Sequence, residues 1–138
     1  MAHLQRAVAS LRIAGDDLDP DQISKLLGAA PTHAQAKGQE LPLKSGRIRI
    51  AQFGQWRLHA TDTEPEDLDG QVAELLGKLT NDSVVWLDLA SRFEIDLFCG
   101  WFMGGTNEGV TISAATLKAL GERGIELALD IYGPDTDA

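Results

Sequence analysis

The chain has 138 residues, of which 43% are hydrophobic and 24% are charged. A chain of this length suits one compact domain whose core is large enough to fold without a metal ion or disulfide bonds. Twelve lysines and arginines stand against 21 acidic residues, so the net charge is −9, which repels phosphate backbones and anionic lipids. The composition therefore predicts a single domain over residues 1–138, with flexible termini at 1–6 and 133–138, that binds neither nucleic acid nor membranes.

The cysteine content and the amino terminus bear on the compartment. Cys99 is the only cysteine, and it lies in an apolar run where a free cysteine usually acts as a small buried hydrophobic residue. Met1–Arg6 lack the apolar segment of a secretion signal, and no window approaches the roughly 18 uncharged apolar residues of a membrane span. We therefore expect a cytoplasmic protein.

The chain begins with a predicted strand and a short predicted helix. Residues 7–14 alternate between apolar and polar side chains, which is typical of a half-buried strand. Asp19 is placed as an N-cap, Pro20 occupies the first helical position, and Gly28 is placed as a left-handed C-cap. These start and stop signals agree on one helix between Asp19 and Gly28.

A long connection and a hairpin are predicted next. Residues 29–45 contain two prolines and a glycine and predict an irregular connection. Residues 47–50 and 56–59 are two alternating runs separated by a turn at 53–55. This pattern predicts that the two runs pair with each other as a hairpin.

Two helices are predicted in the middle of the chain. Residues 66–79 carry a leucine and valine stripe at helical spacing. Residues 82–92 are ambiguous, because Val84–Trp86 favour a strand by propensity. The apolar residues of this segment recur at i, i+3, i+4 and i+7, and Asp82 can cap its start, so we predict a short helix.

The last third predicts strand, loop, helix and strand. Residues 93–103 are the most apolar alternating run, and residues 104–110 form a glycine-rich loop. Ser113 caps a helix over 113–123, whose buried side is predicted to include Leu117. Residues 125–132 alternate cleanly and predict a closing strand.

The predicted order is β-α-β-β-α-α-β-α-β. Strands that alternate, together with helices that each carry one apolar stripe, indicate a sheet covered on one face and wet on the other. We therefore predict an α+β two-layer sandwich with a mixed or antiparallel five-stranded sheet. Its first βαββαβ segment is ferredoxin-like and is followed by an added αβ unit. The pattern leaves the strand order open.

Short motifs extend in order along nearly the whole chain. They are Ser10–Pro20 with Ile23 and Leu27-Gly28, then Pro31, Lys37-Gly38 and Trp56–Leu58, and finally Phe93–Gly100, the loop around Asn107, Ile112-Ser113, Leu117 and Leu129–Tyr132. In this combination the sequence resembles a bacterial family, the domain of unknown function 4279. The resemblance also favours a helix at 82–92 and brings no established activity. Some relatives are thought to lie near toxin genes, as immunity proteins do, which implies masking of a partner protein as one role.

Catalytic and metal-binding patterns are weak. None of the histidines has another histidine or a cysteine at ligand spacing, so we predict no metal site and no cofactor. The acidic run that starts at Asp16 invites a calcium loop. In calcium-loop register from Asp17, however, Gln22 stands where glycine is needed and Gly28 where a glutamate belongs. Helix capping explains these acids without a metal.

The wet face of the predicted sheet carries many charges. Its outward positions hold Arg12, Arg47 or Arg49, Arg57 and His59 alongside Glu94, Asp96, Glu126 and Asp130. They can form ordinary cross-strand pairs worth roughly 0.2–1 kcal/mol each, or they can form a binding surface bordered by the 29–45 and 104–110 loops. The candidate binding residues are Arg12, Asp16, Asp17, Lys37, Trp56, Arg57, Asp96 and Asn107. Strand phase favours a core position for Trp56 over an exposed anchor.

Three functions remain open at this point. The first is a non-enzymatic interaction module that masks one protein partner. The surface of that partner is expected to be basic, because an acidic chain attracts basic partners. The second is a small-molecule-binding or regulatory domain that uses the open face and the loops at 29–45 and 104–110. The third is an enzyme with carboxylate chemistry at Asp16, Asp17 or Asp96. The sequence does not fix the oligomeric state.

Overall fold

The computed structural model describes residues 4–134 of the chain. In chain order the elements are β1 (Arg6–Gly15), α1 (Pro20–Leu27), β2 (His33–Gln35), β3 (Glu40–Pro42), β4 (Ile48–Ile50), β5 (Gly54–His59), α2 (Leu68–Gly77), α3 (Ser83–Arg92), β6 (Glu94–Phe102), α4 (Ala114–Glu122) and β7 (Glu126–Tyr132). Residues 1–3 and 135–138, where the sequence predicts flexible termini, lie outside the described residues. The prediction of a single domain over the whole chain stays a prediction.

Five strands form one open sheet in the order β2-β5-β1-β6-β7. β1 is antiparallel to both of its neighbours, β2 is antiparallel to β5, and β7 is parallel to β6. Strands β1 and β2 are therefore parallel with β5 between them, and β5 and β6 are parallel with β1 between them. These two split βαβ units make the ferredoxin-like segment, and α4 with β7 is the added αβ unit. The predicted α+β fold with a five-stranded mixed sheet is confirmed.

The predicted hairpin of 47–50 with 56–59 is wrong. β4 pairs with β3 in a separate two-stranded sheet, while β5 pairs with β1 and β2. The apolar residues of β5 explain the difference, because Trp56 and Leu58 are buried only if this strand lies beside β1. The isoleucines of β4 stay more than half exposed, so β4 has no comparable reason to join the main sheet.

The segment 29–45, predicted as irregular, contains two short strands. β2 supplies the edge of the main sheet, and β3 forms a hairpin with β4. Gly46 adopts the left-handed conformation (φ +84°) and donates a hydrogen bond to the Leu43 carbonyl at 3.0 Å. Only glycine adopts this conformation without strain, so Gly46 closes the β3–β4 turn. Runs of three residues are too short to show strand periodicity in the sequence.

The predicted helix ends of α1 and α3 are confirmed. The Asp19 carboxylate accepts a hydrogen bond from the Asp21 N–H, and Gly28 ends α1 with φ +82°. At α3, the Asp82 carboxylate accepts from the Val84 N–H. Trp86 is buried, whereas Val84 is 70% exposed, so this segment follows helical spacing and not strand alternation.

α4 is oriented differently from the prediction. Ser113 caps the helix as expected, since its hydroxyl accepts from the Thr116 N–H. The inward positions are Thr116 and Leu120, while Leu117, predicted to be buried, is 51% exposed. The Thr116 hydroxyl donates to Asp69 of α2 at 2.7 Å. This bond is the largest cause of the lowered pKa of the Asp69 carboxyl, and the hydrogen bonds from Ser113 lower that pKa further. The bond also explains why the polar side chain of Thr116 faces the helix layer.

One continuous apolar core lies between the sheet and the helices. Every second residue of β1, β5 and β6 is buried, and the residues between them are at least partly exposed along most of each strand. The helices therefore cover one face only. Cys99 and Trp101 of β6 belong to this core. Leu4 belongs to it as well, and β1 starts at Arg6. The flexibility predicted for residues 1–6 stays a prediction.

Candidate functional site

The candidate site is the face of the sheet that the helices leave uncovered, which we call the open face. Because side chains alternate along a strand, the residues between the buried ones point to this side. They are His33 and Gln35 of β2, Gln55, Arg57 and His59 of β5, Arg6, Val8, Ser10, Arg12 and Ala14 of β1, Glu94, Asp96, Phe98, Gly100 and Phe102 of β6, and Glu126, Ala128, Asp130 and Tyr132 of β7. Most of the outward charges predicted from the sequence are in this set, but Arg47 and Arg49 are not, because their segment left the sheet.

One titratable side chain from each strand lies in a single row across the open face. The register aligns His33, Arg57, Arg12, Asp96 and Glu126 in that order. The row is basic on β2, β5 and β1 and acidic on β6 and β7. A partner that fits this face therefore needs both signs of charge, the basic groups over β6–β7 and an acidic group over β5.

A bidentate ion pair stands at the centre of the row. Arg12 donates from Nε to one carboxylate oxygen of Asp96 at 2.8 Å and from Nη2 to the other at 2.7 Å. The hydrogen bond to Asp96 raises the pKa of the Arg12 guanidinium against the opposing effect of burial. Two parallel charge-assisted bonds fix both side chains. Since both oxygens of Asp96 are engaged, this carboxylate is poorly placed as a general base.

Arg57 lies beside Arg12 without a carboxylate of its own. Within residues 4–134 it forms no ion pair, although like charges directly opposite each other on neighbouring strands are unfavourable. Its neighbour His59 contacts the Ser10 hydroxyl through Nδ1. Burial lowers the pKa of His59, and the nearby Arg57 and His33 lower it further. The β5 side of the open face thus carries a surplus positive charge.

The lowered pKa of His59 gives a pH prediction. A histidine whose pKa falls on folding is protonated more readily in the unfolded chain, so its contribution to stability is present above the unfolded-state pKa and is lost as the pH falls through the folded-state value. NMR titration should place the His59 midpoint below that of a histidine in a model peptide. Arg57→Gln should raise the midpoint only partly, because burial is the larger cause. A midpoint unchanged by Arg57→Gln would contradict the proximity of these two side chains.

Aromatic rings and arginines share the other end of the open face. The Arg12 guanidinium carbon lies 4.5 Å from the centroid of the Phe98 ring, and that of Arg6 lies 5.0 Å from the centroid of Phe102. The rings of Phe102 and Tyr132 stack with centroids 4.8 Å apart. Stacked rings and guanidinium groups hold each other in place. The open face therefore has ordered apolar area as well as charge.

Two shallow clefts border the charged row. One, of about 210 Å³, lies over Arg12, Gln55, Glu94, Asp96 and Glu126 among others. The second, of about 350 Å³, lies between the β3–β4 hairpin and the open face. It is lined by Gln35, Arg49, Ile50, Ala51, Gln52, Phe53, Gln55 and Arg57. Two of these residues are joined by a hydrogen bond from the Gln35 amide to the Phe53 carbonyl at 2.9 Å. No acidic residue lines the second cleft.

The structure brings only some of the predicted site residues together. Arg12, Asp96 and Arg57 are neighbours on the open face. Lys37 instead forms an exposed ion pair with Asp16 at 3.2 Å, beyond the end of β1. Trp56 is buried in the core on the opposite side of the sheet, where its indole N–H donates to Ser24 at 3.1 Å. A ligand on the open face cannot reach this ring.

The two loops predicted to roof the site lie at opposite ends of the sheet. Asp16 and the exposed Asp17 follow the last residue of β1, near the segment after β2. Asn107, also exposed, follows the end of β6, which pairs with the first residue of β1. The ten residues of β1 span about 30 Å. One small ligand therefore cannot contact both loops.

Sequence reasoning missed two kinds of residue. Phe98, Phe102 and Tyr132 have the spacing of open-face residues, but alternation alone does not show that arginines of β1 lie over the rings of Phe98 and Phe102. Gln71 of α2 is buried and donates to the carbonyls of Ala7 and Thr61 at 3.0 and 3.1 Å. Its position in the helical stripe gives no sign of those partners.

The described residues offer little for metal or thiol chemistry. Among residues 4–134 there is no group of three or more His, Cys, Asp or Glu side chains that could hold a metal ion. Burial, and to a smaller extent Asp96, raises the pKa of the Cys99 thiol to about 12, which leaves almost no thiolate near neutral pH. No helix in the described part of the chain is long and apolar enough to cross a membrane.

Comparison with known families agrees with the resemblance seen in the sequence. The sequence model of one family, the domain of unknown function DUF4279, matches residues 5–134. The chain belongs to the DUF4279 family. No curated protein and no solved structure matches it, so the DUF4279 assignment supplies the family without an activity.

Proposed function

We propose that the protein is an interaction module that binds one protein partner across its open face and masks the surface it covers. The observation that carries this proposal is the pair of arginine–aromatic stacks, Arg12 on Phe98 and Arg6 on Phe102 with Tyr132, on a sheet face that the helices leave uncovered. Arginine and aromatic residues are enriched where protein interfaces are buried and where binding energy concentrates. Here they are already ordered before a partner arrives.

The charges of the open face define the partner. Glu94, Asp96, Glu126 and Asp130 make the β6–β7 half acidic, and the whole chain carries a net charge of −9. A basic surface is attracted to this half over distances of about a Debye length. Arg57 would form an ion pair with a carboxylate of the same partner, because no acid within the described residues pairs with it. A protein surface supplies both signs of charge more readily than a small ligand does.

Exposed aromatic rings on an open sheet are also used to stack the bases of RNA. The same strands here carry acids beside the rings, including Asp130 next to Tyr132, whose hydroxyl donates to it at 2.6 Å. Carboxylates at these positions repel the phosphates that a stacked strand would bring. A protein partner therefore fits the open face better than a nucleic acid.

The test starts from affinity capture in the native host and is completed with the purified partner. Its dissociation constant should rise as salt is added, and Arg57→Gln should weaken binding about tenfold. Lys25→Gln removes the same charge from an exposed position on α1 and should leave the affinity unchanged. Phe98→Ala should reduce binding without a change in the salt dependence. Equal affinities for the parent, Arg57→Gln and Phe98→Ala would show that the partner binds elsewhere.

The cleft of about 350 Å³ supports a second candidate, the binding of a small anionic molecule. Its lining holds Arg49, Arg57 and three glutamines and no acid, although acids outnumber basic residues in the whole chain. Guanidinium and carboxamide groups recognise carboxylates and phosphates. The volume is within the roughly 300–1,000 Å³ typical of small-molecule sites, but the cleft is open and mostly polar, so we place this candidate second.

Citrate and inorganic phosphate are suitable probes for that cleft. A bound anion should raise the melting temperature as its concentration passes the dissociation constant, and glycerol should not. Arg49→Gln should remove the shift, while Arg47→Gln, exposed on the same hairpin, should keep it. Equal shifts in both variants would assign the effect to general charge screening. The cytoplasmic location predicted from the sequence stays a prediction under either function.

A further inference from the structure

We infer that two copies of the chain pair through the free edge of β7, antiparallel and about a two-fold axis at Leu129. β7 is the last strand of the sheet within residues 4–134. Edge strands are normally protected by charged side chains, especially lysine, by proline, by a bulge or by a covering segment. Glu126–Tyr132 contains neither lysine nor proline, and its two charged residues, Glu126 and Asp130, are both acids. Leu129 and Ile131 are 43% and 54% exposed. This inference concerns the backbone edge of β7, which borders the open face, and it does not depend on the proposed function.

The backbone of β7 presents the required hydrogen-bonding groups. The Met103 N–H donates to the Tyr132 carbonyl at 3.0 Å, so the backbone groups of Tyr132 point towards β6. Backbone direction alternates along a strand, and the N–H and C=O of Leu127, Leu129 and Ile131 therefore point away from the sheet. Within residues 4–134, no strand of the sheet lies on that side of β7. A second β7 can satisfy all three residues.

The charges of β7 select one register. An antiparallel pairing must place outward-pointing residues opposite each other, which leaves three registers with at least five paired residues in each strand. Centring the axis on Ala128 sets Glu126 against Asp130 of the other copy, and centring it on Asp130 sets that acid against itself. With the axis at Leu129, Glu126 faces Tyr132 and Asp130 faces Ala128. Like charges directly opposite each other are unfavourable, so only this register avoids such a pair, and it also pairs all seven residues of the strand.

The same register matches apolar side chains on the helix side of the sheet. Leu127 faces Ile131 of the second copy, and Leu129 faces its own symmetry mate. In each chain these residues are aligned with buried residues of β6, Leu97, Cys99 and Trp101. Pairing therefore extends the core row outward from one copy to the other. A two-fold interface of this kind is self-complementary, as closed dimers require.

Salt should strengthen this dimer. Each copy carries a net charge of −9, and Glu126 and Asp130 of opposite copies lie on a diagonal roughly 7–8 Å apart in the paired strands. Added salt screens this repulsion, so the dimer dissociation constant should fall as salt rises. Binding of a basic partner to the open face has the opposite dependence. The two proposals can therefore fail separately.

Sedimentation velocity over a concentration series, at low and high salt, tests the dimer with the full chain. Leu129→Glu puts two acids opposite each other at the axis and should raise the dimer dissociation constant about tenfold or more. Leu129→Pro removes an outward-pointing N–H and leaves the bonds to β6 in place, so it should act the same way. Leu87→Glu, at a position of α3 that is 64% exposed, is the control and should still dimerise.

Cysteine cross-linking tests the register. Directly paired residues have Cα atoms about 5.5 Å apart, within the range that a disulfide spans. Leu129→Cys should therefore oxidise to a disulfide-linked dimer, whereas Ala128→Cys and Asp130→Cys, whose symmetry mates are not directly opposite, should form no disulfide link. Cys99 is buried and should not compete. A chain that sediments as a monomer at every concentration and salt, a dimer unaffected by Leu129→Glu, or linkage at 128 or 130 instead of 129 would overturn the inference.

Discussion

Replacing Trp56 by alanine is expected to lower the free energy of unfolding by about 3–5 kcal/mol. The ring is fully buried on the helix side of β5, opposite Ile13 of β1, and its N–H is satisfied by the Ser24 hydroxyl of α1. The substitution therefore leaves a cavity between the sheet and α1 and removes a hydrogen bond that joins them. Because a domain is usually stable by only about 5–15 kcal/mol, Trp56→Ala should unfold at a much lower urea concentration.

Two variants separate the causes. Ser24→Ala removes only the hydrogen bond and should lower the free energy of unfolding by about 1 kcal/mol. Trp56→Phe keeps most of the ring and should fall between Ser24→Ala and Trp56→Ala. Urea denaturation followed by fluorescence is suitable, because Trp86 and Trp101 remain as probes. A loss below about 1 kcal/mol in Trp56→Ala would mean that the ring lies on the open face after all, as an exposed binding residue would.

Elements with a complete local signal could be predicted from the sequence. α1 has an N-cap, a proline at its first position and a left-handed glycine at its end, all of which the structure contains. The buried phase of β1 and β6 follows from alternation that persists over nine or ten residues. Such signals depend on the backbone and on solvent, so they need no knowledge of distant contacts.

The pairing of β4 could not be predicted in the same way. The run at 47–50 is close in sequence to 56–59 and alternates similarly, so proximity favours a hairpin. Long-range burial decides otherwise, because β5 places Trp56 and Leu58 in the core only beside β1. β2 has three residues, which is too few for periodicity to appear.

The candidate site was predicted for its charges but not for its neighbours. Alternation placed Arg12 and Asp96 on the same wet face, and the structure joins them in one bidentate pair. Grouping Lys37 and Asn107 with them required the sheet order, which the sequence left open. Arg57 is in the predicted set, but its surplus charge becomes visible only when the register sets it beside Arg12.

The second large effect is expected from Gln71→Glu, with a loss of about 3 kcal/mol or more at neutral pH. The Gln71 amide is almost fully buried and donates to two carbonyls, those of Ala7 and Thr61. These bonds tie α2 to the start of β1, where Ala7 also exchanges two backbone hydrogen bonds with Thr63. A carboxylate at this position would face two acceptors with no donor, so the variant disfavours the charged form and raises the pKa of the new carboxyl.

The sign of the pH dependence follows from that raised pKa. The protonated carboxyl can still donate one hydrogen bond, so the glutamate is best tolerated below its unfolded-state pKa and is increasingly destabilising as the pH rises through the folded-state value. The difference in unfolding free energy between Gln71→Glu and the parent should therefore shrink as the pH is lowered from 7. Gln71→Met, similar in size and uncharged, should lose about 1–3 kcal/mol with no such dependence. If both variants showed the same loss at every pH in urea denaturation, the two carbonyls would not need the amide of Gln71, and α2 would be held to β1 by apolar packing alone.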